Sequence, residues 1–160
     1  MSYSVDEAVA APYGGSEEQW LAWANGMPVS ARIGLRCHRI EAGRAHFRLA
    51  ESDWPLNANG AIHGGMVVGC ADHCMGLVAS TVLDSAHVPA TGTINADFLR
   101  PALPPLTFEA VVDRSGRTLV FVAVTVYERS GKVASRVTGV MVTDGASRFA
   151  PPAVARVPGD

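Results

Sequence analysis

The sequence has few cysteines, no run of basic residues and no uninterrupted apolar segment long enough for a membrane span. Its three cysteines are an odd number, which argues against a framework of disulfide bonds. The net charge of -2 and the pI near 6.2 give no electrostatic signature of nucleic-acid binding. The first residues lack the basic and apolar regions of a secretion signal, and Asp72 interrupts the longest apolar helix. These absences predict a cytoplasmic protein without nucleic-acid or membrane partners.

The length of 160 residues fits one domain with a substantial core. Residues 1–29 are predicted to form an N-terminal segment whose short helix begins after Ser16 and ends near Gly26. Residues 30–144 are predicted to form the folded domain. Residues 145–160, rich in Ala, Pro and Val without periodicity, are predicted to form an irregular tail. The apolar fraction of 48% suggests that another subunit covers part of the surface.

Hydrophobic periodicity within the domain predicts an α+β fold. Alternating apolar residues, beginning at Ile33, predict a β-hairpin that turns at 41–43, and a long apolar stretch predicts a helix over 65–83. Four strand-like runs follow, over about 91–100, 106–114, 118–128 and 132–143. Because short turns join consecutive strands, we expect an antiparallel sheet of five to six strands, with the helix packed on one face.

One segment of sixteen residues carries most of the candidate chemistry. A loop with Asn57 and His63 leads into Gly64 and Gly65, which open the apolar helix that bears Asp72. Helix N-termini present unpaired N–H groups and the positive end of the helix dipole, and such groups can hold a developing oxyanion. A single carboxylate in an apolar helix is costly to bury without a partner and is often a reactive group. The segment therefore predicts an oxyanion site followed by a base.

The spacing between the two groups predicts a homodimer. Gly64 and Asp72 are eight residues apart, which is about 12 Å along a helix axis. An oxyanion donor and a base must both lie within roughly 3 Å of one reacting carbon. One helix cannot meet that condition, whereas two antiparallel helices related by a two-fold axis can. We therefore expect the site to lie across a dimer interface.

Four stretches of residues 30–144 resemble the hotdog-fold acyl-CoA thioesterases, in the branch of the phenylacetate-pathway and hydroxybenzoyl-CoA enzymes. They are Asn57 to Asp72 with the His63-Gly64-Gly65 turn, Thr91 to Pro101, Ser115-Gly116-Arg117-Thr118, and Ser130 to Val133. The resemblance implies a sheet wrapped around one long central helix. It implies hydrolysis of an acyl- or aryl-CoA to the free acid and coenzyme A, without another cofactor or a metal. It also implies homodimers that commonly pair into homotetramers.

The resemblance also implies a role for each residue of the motif. Asp72 would activate a water or attack the thioester itself, and the N–H of Gly64 would hold the thioester oxygen, with the Gly64-Gly65 pair allowing close approach. His63 would support the loop, Asn57 would orient water or the thioester oxygen, and Thr91 would help to place the water. Each residue also has a structural alternative. Asp72 would be a buried acid satisfied by His73, a backbone amide or water, and the glycine pair would only permit a sharp turn. His63 would be a helix cap, Asn57 a turn residue and Thr91 an ordinary strand threonine.

The phosphates of coenzyme A require cations. The resemblance places the nucleotide near the turn formed by Ser115, Gly116, Arg117 and Thr118, with Arg100 and Arg114 as weaker candidates. The alternative for each arginine is a solvated surface charge. Cys70, His73 and Cys74 lie close together on the helix, but they lack the second ligand pair that is typical of a zinc site.

The chain departs from the family that it resembles at Gly76, one turn after the acid, where some members carry a threonine. The acid is Asp rather than Glu, which fits the phenylacetate branch better than the bacterial hydroxybenzoyl branch. The acyl group is not fixed by the sequence, although Trp54, Leu56 and Val78 are predicted to line its pocket. Two other functions stay open: a non-catalytic acyl-CoA sensor, and a hydratase or dehydratase, which needs a His and an acid as a proton-transfer pair.

Overall fold

The structure, a computed structural model, describes residues 10–50 and 56–145. Its elements are α1 (Glu17–Gly26), α2 (Pro28–Ile33), β1 (Leu35–Glu41), β2 (Arg44–Leu49), α3 (Gly64–Ser80), β3 (His87–Phe98), β4 (Leu106–Ser115), β5 (Leu119–Tyr127) and β6 (Val133–Gly145). The six strands form one antiparallel sheet in the order β1-β2-β4-β5-β6-β3. The helix α3 contacts every strand of this sheet. The prediction of an antiparallel sheet around one long helix is confirmed.

The N-terminal helices differ from the prediction in one respect. Ser16 caps α1 and exchanges hydrogen bonds with Gln19, so the predicted first helix is confirmed. The segment after it forms a second helix, α2, instead of leading directly into a strand. Pro28 occupies its first turn, where the fixed φ of proline favours a helix start. Ile33, which the alternation assigned to a strand, ends α2, and Gly34 closes it with a left-handed φ of 70°.

The bounds of two other elements also shift. The helix α3 ends at Ser80, and the next three residues, predicted to be helical, form a turn. The strand β3 begins at His87, four residues before its predicted start, because β6 pairs with it along its whole length. The division into segments 1–29, 30–144 and 145–160 stays a prediction, since residues 1–9 and 146–160 lie outside the described residues. No helix in the described part of the chain is long and apolar enough to cross a membrane.

The core lies between α3 and the inner face of the sheet. The predicted alternation of β5 is confirmed, because its four valines at 120, 122, 124 and 126 are buried. Phe47 and Phe108, which pair across β2 and β4, are also buried. Much of α3 is enclosed as well, and Met75 and Val78 are fully buried. The first half of α3 is less covered, since Met66 and Gly69 are exposed.

The strand β3 forms one edge of the sheet. It is 12 residues long and pairs only with β6 in the described part of the chain. Its other edge therefore presents a row of unpaired backbone N–H and C=O groups. Long unprotected edges promote pairing with another chain, and folded proteins usually cover or pair them. This edge lies beside the candidate site.

Candidate active site

The N-terminus of α3 presents one free backbone donor. His63 is the N-cap, and its Nδ1 accepts a hydrogen bond of 3.1 Å from the N–H of Gly65. The next two N–H groups of the helix bond to the carbonyl oxygen of His63. The N–H of Gly64 has no partner in the described part of the chain. Of the glycine pair, only Gly64 therefore has an N–H available for the predicted role, while the N–H of Gly65 is occupied and His63 serves as the cap.

Asn57 organises the loop that precedes this helix. Its Oδ1 accepts hydrogen bonds from the N–H groups of Asn59, at 2.9 Å, and Ala61, at 3.2 Å. The backbone of Asn57 also bonds to Ala61 and to Gly60. Its Nδ2 has no partner among residues 10–50 and 56–145, so this N–H₂ group remains a donor for a ligand. Asn57 thus fills the turn role and keeps the polar group that the predicted role requires.

A cavity of about 370 Å³ opens at this end of α3, and Asn57, Gly64, Phe98 and Arg100 line it. The ring of Phe98 packs on Gly64 so closely that a Cβ at Gly64 would lie 3.0 Å from it. A residue with a side chain would therefore displace the ring. Arg100 is exposed and donates from Nη1 to the carbonyl oxygen of Val133 at 2.8 Å. We call this the oxyanion end of the site.

The carboxylate lies two helical turns further along α3. Asp72 is partly buried, and its Oδ1 accepts a hydrogen bond of 2.5 Å from the hydroxyl of Thr91. This length is typical of a hydroxyl that donates to a carboxylate. The hydroxyl of Thr91, predicted only through the resemblance, is thus in direct contact with the acid. We call Asp72, Thr91 and their surroundings the base end.

His73 is not the hydrogen-bond partner of Asp72. Its Nε2 lies 2.8 Å from the hydroxyl of Ser30, which itself donates to the carbonyl oxygen of Ala24 at 2.7 Å. Because Ser30 has one proton and uses it there, Nε2 of His73 must be the donor. Burial lowers the pKa of His73, and the charge of Asp72 opposes this shift. Of the structural alternatives for Asp72, satisfaction by His73 is therefore wrong.

The two ends of the site are separated along two elements at once. At the oxyanion end, Gly64 packs on Phe98, whereas at the base end Asp72 bonds to Thr91. Gly64 and Asp72 lie about 12 Å apart along the axis of α3. Thr91 lies seven residues before Phe98 on β3, which is about 23 Å along a strand. The predicted catalytic residues therefore form two clusters on one chain rather than a single constellation.

The predicted coenzyme A residues also divide between the two ends of the sheet. Ser115, Gly116, Arg117 and Thr118 form the exposed turn between β4 and β5, which Thr143 holds through bonds to the backbone of Arg117 and Thr118. Leu119 pairs with Val142, which pairs with Ala90, so the turn lies level with Thr91. Two strand spacings, about 10 Å, separate Leu119 from β3. Arg114 is exposed on β4, and Arg100 lies at the opposite end, near Phe98.

Three other residues singled out from the sequence, Cys70, Cys74 and Val78, are buried in the core. Burial raises the pKa of the Cys70 thiol to about 12 and that of Cys74 well above its usual value, so both are neutral core residues. Among residues 10–50 and 56–145, no three His, Cys, Asp or Glu side chains converge as metal ligands would. Val78 is fully buried, so its predicted place in an acyl pocket is wrong. Leu56 is exposed, and Trp54 lies outside the described residues.

Sequence reasoning missed Ser30 and the contact of Phe98 with Gly64. Ser30 precedes His73 by 43 residues, and no local pattern connects them. Phe98 was part of the matching stretch from Thr91 to Pro101, but nothing in that stretch indicated which helical residue it would meet. Both contacts depend on how α2 and β3 pack against α3.

Comparison of the sequence with known proteins identifies the family. A family model described as the thioesterase superfamily matches residues 59–135, which include Gly64, Asp72 and Thr91 but begin two residues after Asn57. A candidate esterase of Saccharolobus solfataricus, SSO2140, is 30% identical over 108 residues, which are 67% of this chain and 76% of the relative.

Solved structures share the fold. The PaaI protein from the phenylacetic acid degradation operon of E. coli aligns with a TM-score of 0.69 at 20% identity, over 78% of this chain and 89% of that protein. The protein smu.793 of Streptococcus mutans, solved with acetyl CoA bound, aligns with a TM-score of 0.64 at 23% identity, over 69% of this chain and 89% of that protein. The predicted hotdog fold is confirmed, and the chain belongs to the thioesterase superfamily.

Proposed function

We propose that the protein is an acyl-CoA thioesterase, which hydrolyses the thioester of an acyl- or aryl-CoA to the free acid and coenzyme A. The observation that carries the proposal is the hydrogen bond from Thr91 to Asp72 beside a cavity. Asp72 lies on a helix whose first N–H has no partner among the described residues. Membership of the thioesterase superfamily supports the reaction class. The relative solved with acetyl CoA supports the choice of coenzyme A thioesters.

The hydrogen bond of Thr91 fixes one carboxylate oxygen of Asp72. The other oxygen, Oδ2, has no partner in the described part of the chain and is available for chemistry. It can take a proton from a water that attacks the thioester carbon, or it can attack that carbon directly. Either attack moves charge onto the thioester oxygen. A free N–H at a helix N-terminus, such as that of Gly64, stabilises this charge.

We propose that the two ends of the site meet across a two-fold dimer. Antiparallel pairing of two β3 edges would bring Thr91 of one subunit toward Phe98 of its partner, with the axis near Ile94 and Asn95. Antiparallel approach of two α3 helices would bring Asp72 to Gly64 of the partner subunit, with the axis near Val68. The same two-fold rotation therefore brings both β3 and α3 against their copies in the partner subunit. It also pairs the open edge of β3.

The surface around this axis suits such contact. Met66 is 37% exposed on the first half of α3, and Phe98 is 55% exposed at the end of β3. A side chain at Gly69 would meet nothing within 4 Å, so a second backbone can approach this face of α3 closely. In the same dimer, the Arg117 turn of one subunit lies toward the Arg100 end of the other. Both arginines could then face the nucleotide of one coenzyme A.

The test is incubation of the purified protein with a panel of acyl-CoAs and a thiol-detecting reagent. Release of free coenzyme A, abolished by Asp72→Asn, is the result expected of a thioesterase. Reversible hydration of an enoyl-CoA without thiol release would assign a hydratase instead. Tight binding without turnover would assign an acyl-CoA sensor. Each of these last two results would refute the proposed hydrolysis.

A further inference from the structure

A groove of about 450 Å³ runs along one face of α3 from the base end. Asp72, Gly76 and Ser80 lie along its floor, and their spacing of four residues places them on one face of the helix. Because each helical residue rises about 1.5 Å, Ser80 lies about 12 Å from Asp72, with Gly76 halfway. The groove therefore continues from the candidate base in the direction away from the oxyanion end.

Apolar side chains form both walls of this groove. Val88, Pro89 and Ala90 of β3 lie on one side, and Met27 and Val29 lie on the other. Val29 is 49% exposed and Val88 is 36% exposed. A single exposed valine needs no explanation, but large apolar residues that face one groove mark a place for an apolar ligand.

Two polar side chains of the groove beyond the base end, Ser80 and His73, have partners within the protein. The hydroxyl of Ser80 donates to the carbonyl oxygen of Gly76 at 2.9 Å. Nε2 of His73 donates to Ser30. A ligand in this part of the groove therefore gains mainly from burial of apolar surface, while the polar chemistry is confined to Asp72 and Thr91.

The outer wall is anchored by Ser30. This residue is 3% exposed, and it bonds to Ala24 of α1 and to His73 of α3. The two bonds fasten α2, and with it Val29, to the helix that forms the floor. The groove is thus held by buried hydrogen bonds, and a ligand would find it formed.

Gly76 leaves the middle of the groove open. A Cβ built at this position meets nothing within 4 Å. A longer side chain there would project into the groove about 6 Å from Asp72. The first carbon of such a side chain would meet no other atom of the protein within 4 Å.

We infer that this groove binds the acyl chain of the substrate, that it favours an extended, uncharged alkyl chain, and that Gly76 sets the accepted length. The inference rests on the proposed thioesterase function and names its substrate class. Carbon–carbon bonds near 1.5 Å give an extended alkyl chain about 1.25 Å per carbon. The floor of about 12 Å then accommodates roughly eight to ten carbons, and Gly76 lies beside about the fifth.

The experiment measures kcat/KM for straight-chain acyl-CoAs from acetyl to dodecanoyl, and for phenylacetyl-CoA. With wild-type protein, kcat/KM should rise about fourfold for each added CH₂, the equivalent of about 0.8 kcal/mol of buried apolar surface. The rise should stop near octanoyl or decanoyl. In Gly76→Leu, butanoyl-CoA should react within about twofold of wild type, while octanoyl-CoA should lose at least about thirtyfold. Gly76→Ala should give an intermediate profile.

Gly26→Leu is the matched control. Gly26 also lies in a helix with nothing within 4 Å of its Cβ position, but it does not line the groove. Its chain-length profile should match that of wild type. The oligomeric size of each variant should be measured by light scattering, so that an effect on assembly can be separated from an effect on the groove.

Four outcomes would overturn the inference. A flat chain-length profile, or equal losses of kcat/KM on all substrates in Gly76→Leu, would show that the acyl chain does not bind in the groove. A better kcat/KM for phenylacetyl-CoA than for octanoyl-CoA would contradict the extended shape. A change of oligomeric size with an unchanged profile would assign the groove to a second copy of the chain. Absence of thiol release from every substrate would refute the proposed function itself, and with it this assignment.

Discussion

If Asp72 of one subunit works with Gly64 of another, two inactive variants should restore activity when they exchange subunits. The first variant is Asp72→Asn, which keeps the shape of the side chain and removes its charge. The second is Gly64→Pro, which removes the N–H group. Loss of a general base typically costs 10²-fold or more, and loss of one oxyanion donor costs about 10²–10³-fold. Each parent should therefore be nearly inactive.

The structure indicates that proline fits at this position. Gly64 is the first residue of α3, where proline is well accepted, and His63 has a ψ of 135°, within the range preferred before proline. The remaining difficulty is the new Cβ, which would lie 3.0 Å from the ring of Phe98. Gly64→Ala is the matched control, since it adds a Cβ but keeps the N–H. Gly64→Ala should retain most of the activity that Gly64→Pro loses.

The expected magnitude follows from counting sites. In an equal mixture with free exchange, half of the dimers contain one subunit of each kind. Such a dimer has one site with both defects and one site with neither, so the mixture should recover about a quarter of wild-type turnover. The assay is thiol release after joint refolding of the two variants, with exchange followed by a tag on one of them. Confirmed exchange without recovery would place Asp72 and Gly64 in one chain's site and refute the shared geometry.

Three further predictions concern single residues. Thr91→Val keeps the branched shape and removes the hydrogen bond to Asp72, so kcat should fall about 10- to 100-fold. The kcat of Thr93→Val, on the same strand, should stay within about twofold of wild type. Equal effects of the two substitutions would contradict the role of Thr91. Arg117→Ala should raise KM for acyl-CoA with little change in kcat, and it should leave KM unchanged for a short thioester without the nucleotide. Equal effects on both substrates would place Arg117 away from coenzyme A. Burial lowers the pKa of His73 from 6.5, so the unfolded chain binds the proton more readily. The free energy of unfolding should fall as pH drops from about 6.5 through the lower pKa of His73 in the folded protein. Urea titrations at pH 7.5 and 5.0 should show a larger fall for wild type than for His73→Gln. Equal falls would contradict the lowered pKa of His73.

Those parts of the fold that depend on local patterns could be predicted from the sequence. Ser16 before two acids indicated the start of α1, and the strict alternation of β5 indicated which valines are buried. The Gly-Gly pair after His63 indicated the start of α3. In each case the deciding interaction spans at most a few residues, or it is the burial of one face of a single element.

Features that depend on contacts between distant segments could not be predicted in the same way. The helix α2 was missed because Ile33, Leu35 and Cys37 alternate as a strand does, although Pro28 and Gly34 bound a helix. The early start of β3 depends on its pairing with β6, some fifty residues along the chain. The wall of the groove depends on the bond from Ser30 to His73.

The site itself lies between these two cases. The separation of Gly64 from Asp72 follows from the sequence alone, since helix geometry fixes it. That Thr91 bonds to Asp72 depends on where β3 crosses α3, and only the resemblance had indicated it. That Phe98 packs on Gly64 depends on the same crossing. Because both contacts come from one pair of elements, the placement of β3 on α3 fixes both ends of the site together.

Gly64 and Gly76 of α3 differ in what surrounds the position of a side chain. At Gly64 the place of a Cβ is taken by the ring of Phe98, so any side chain meets an existing contact. At Gly76 the same place is empty, so a side chain would meet only the groove. Glycine inside a helix costs about 1 kcal/mol relative to alanine, and at Gly76 no packing contact offsets that cost. A ligand that needs the space is a physical reason for glycine to stand there, and it connects the departure at Gly76 with the length of the acyl chain.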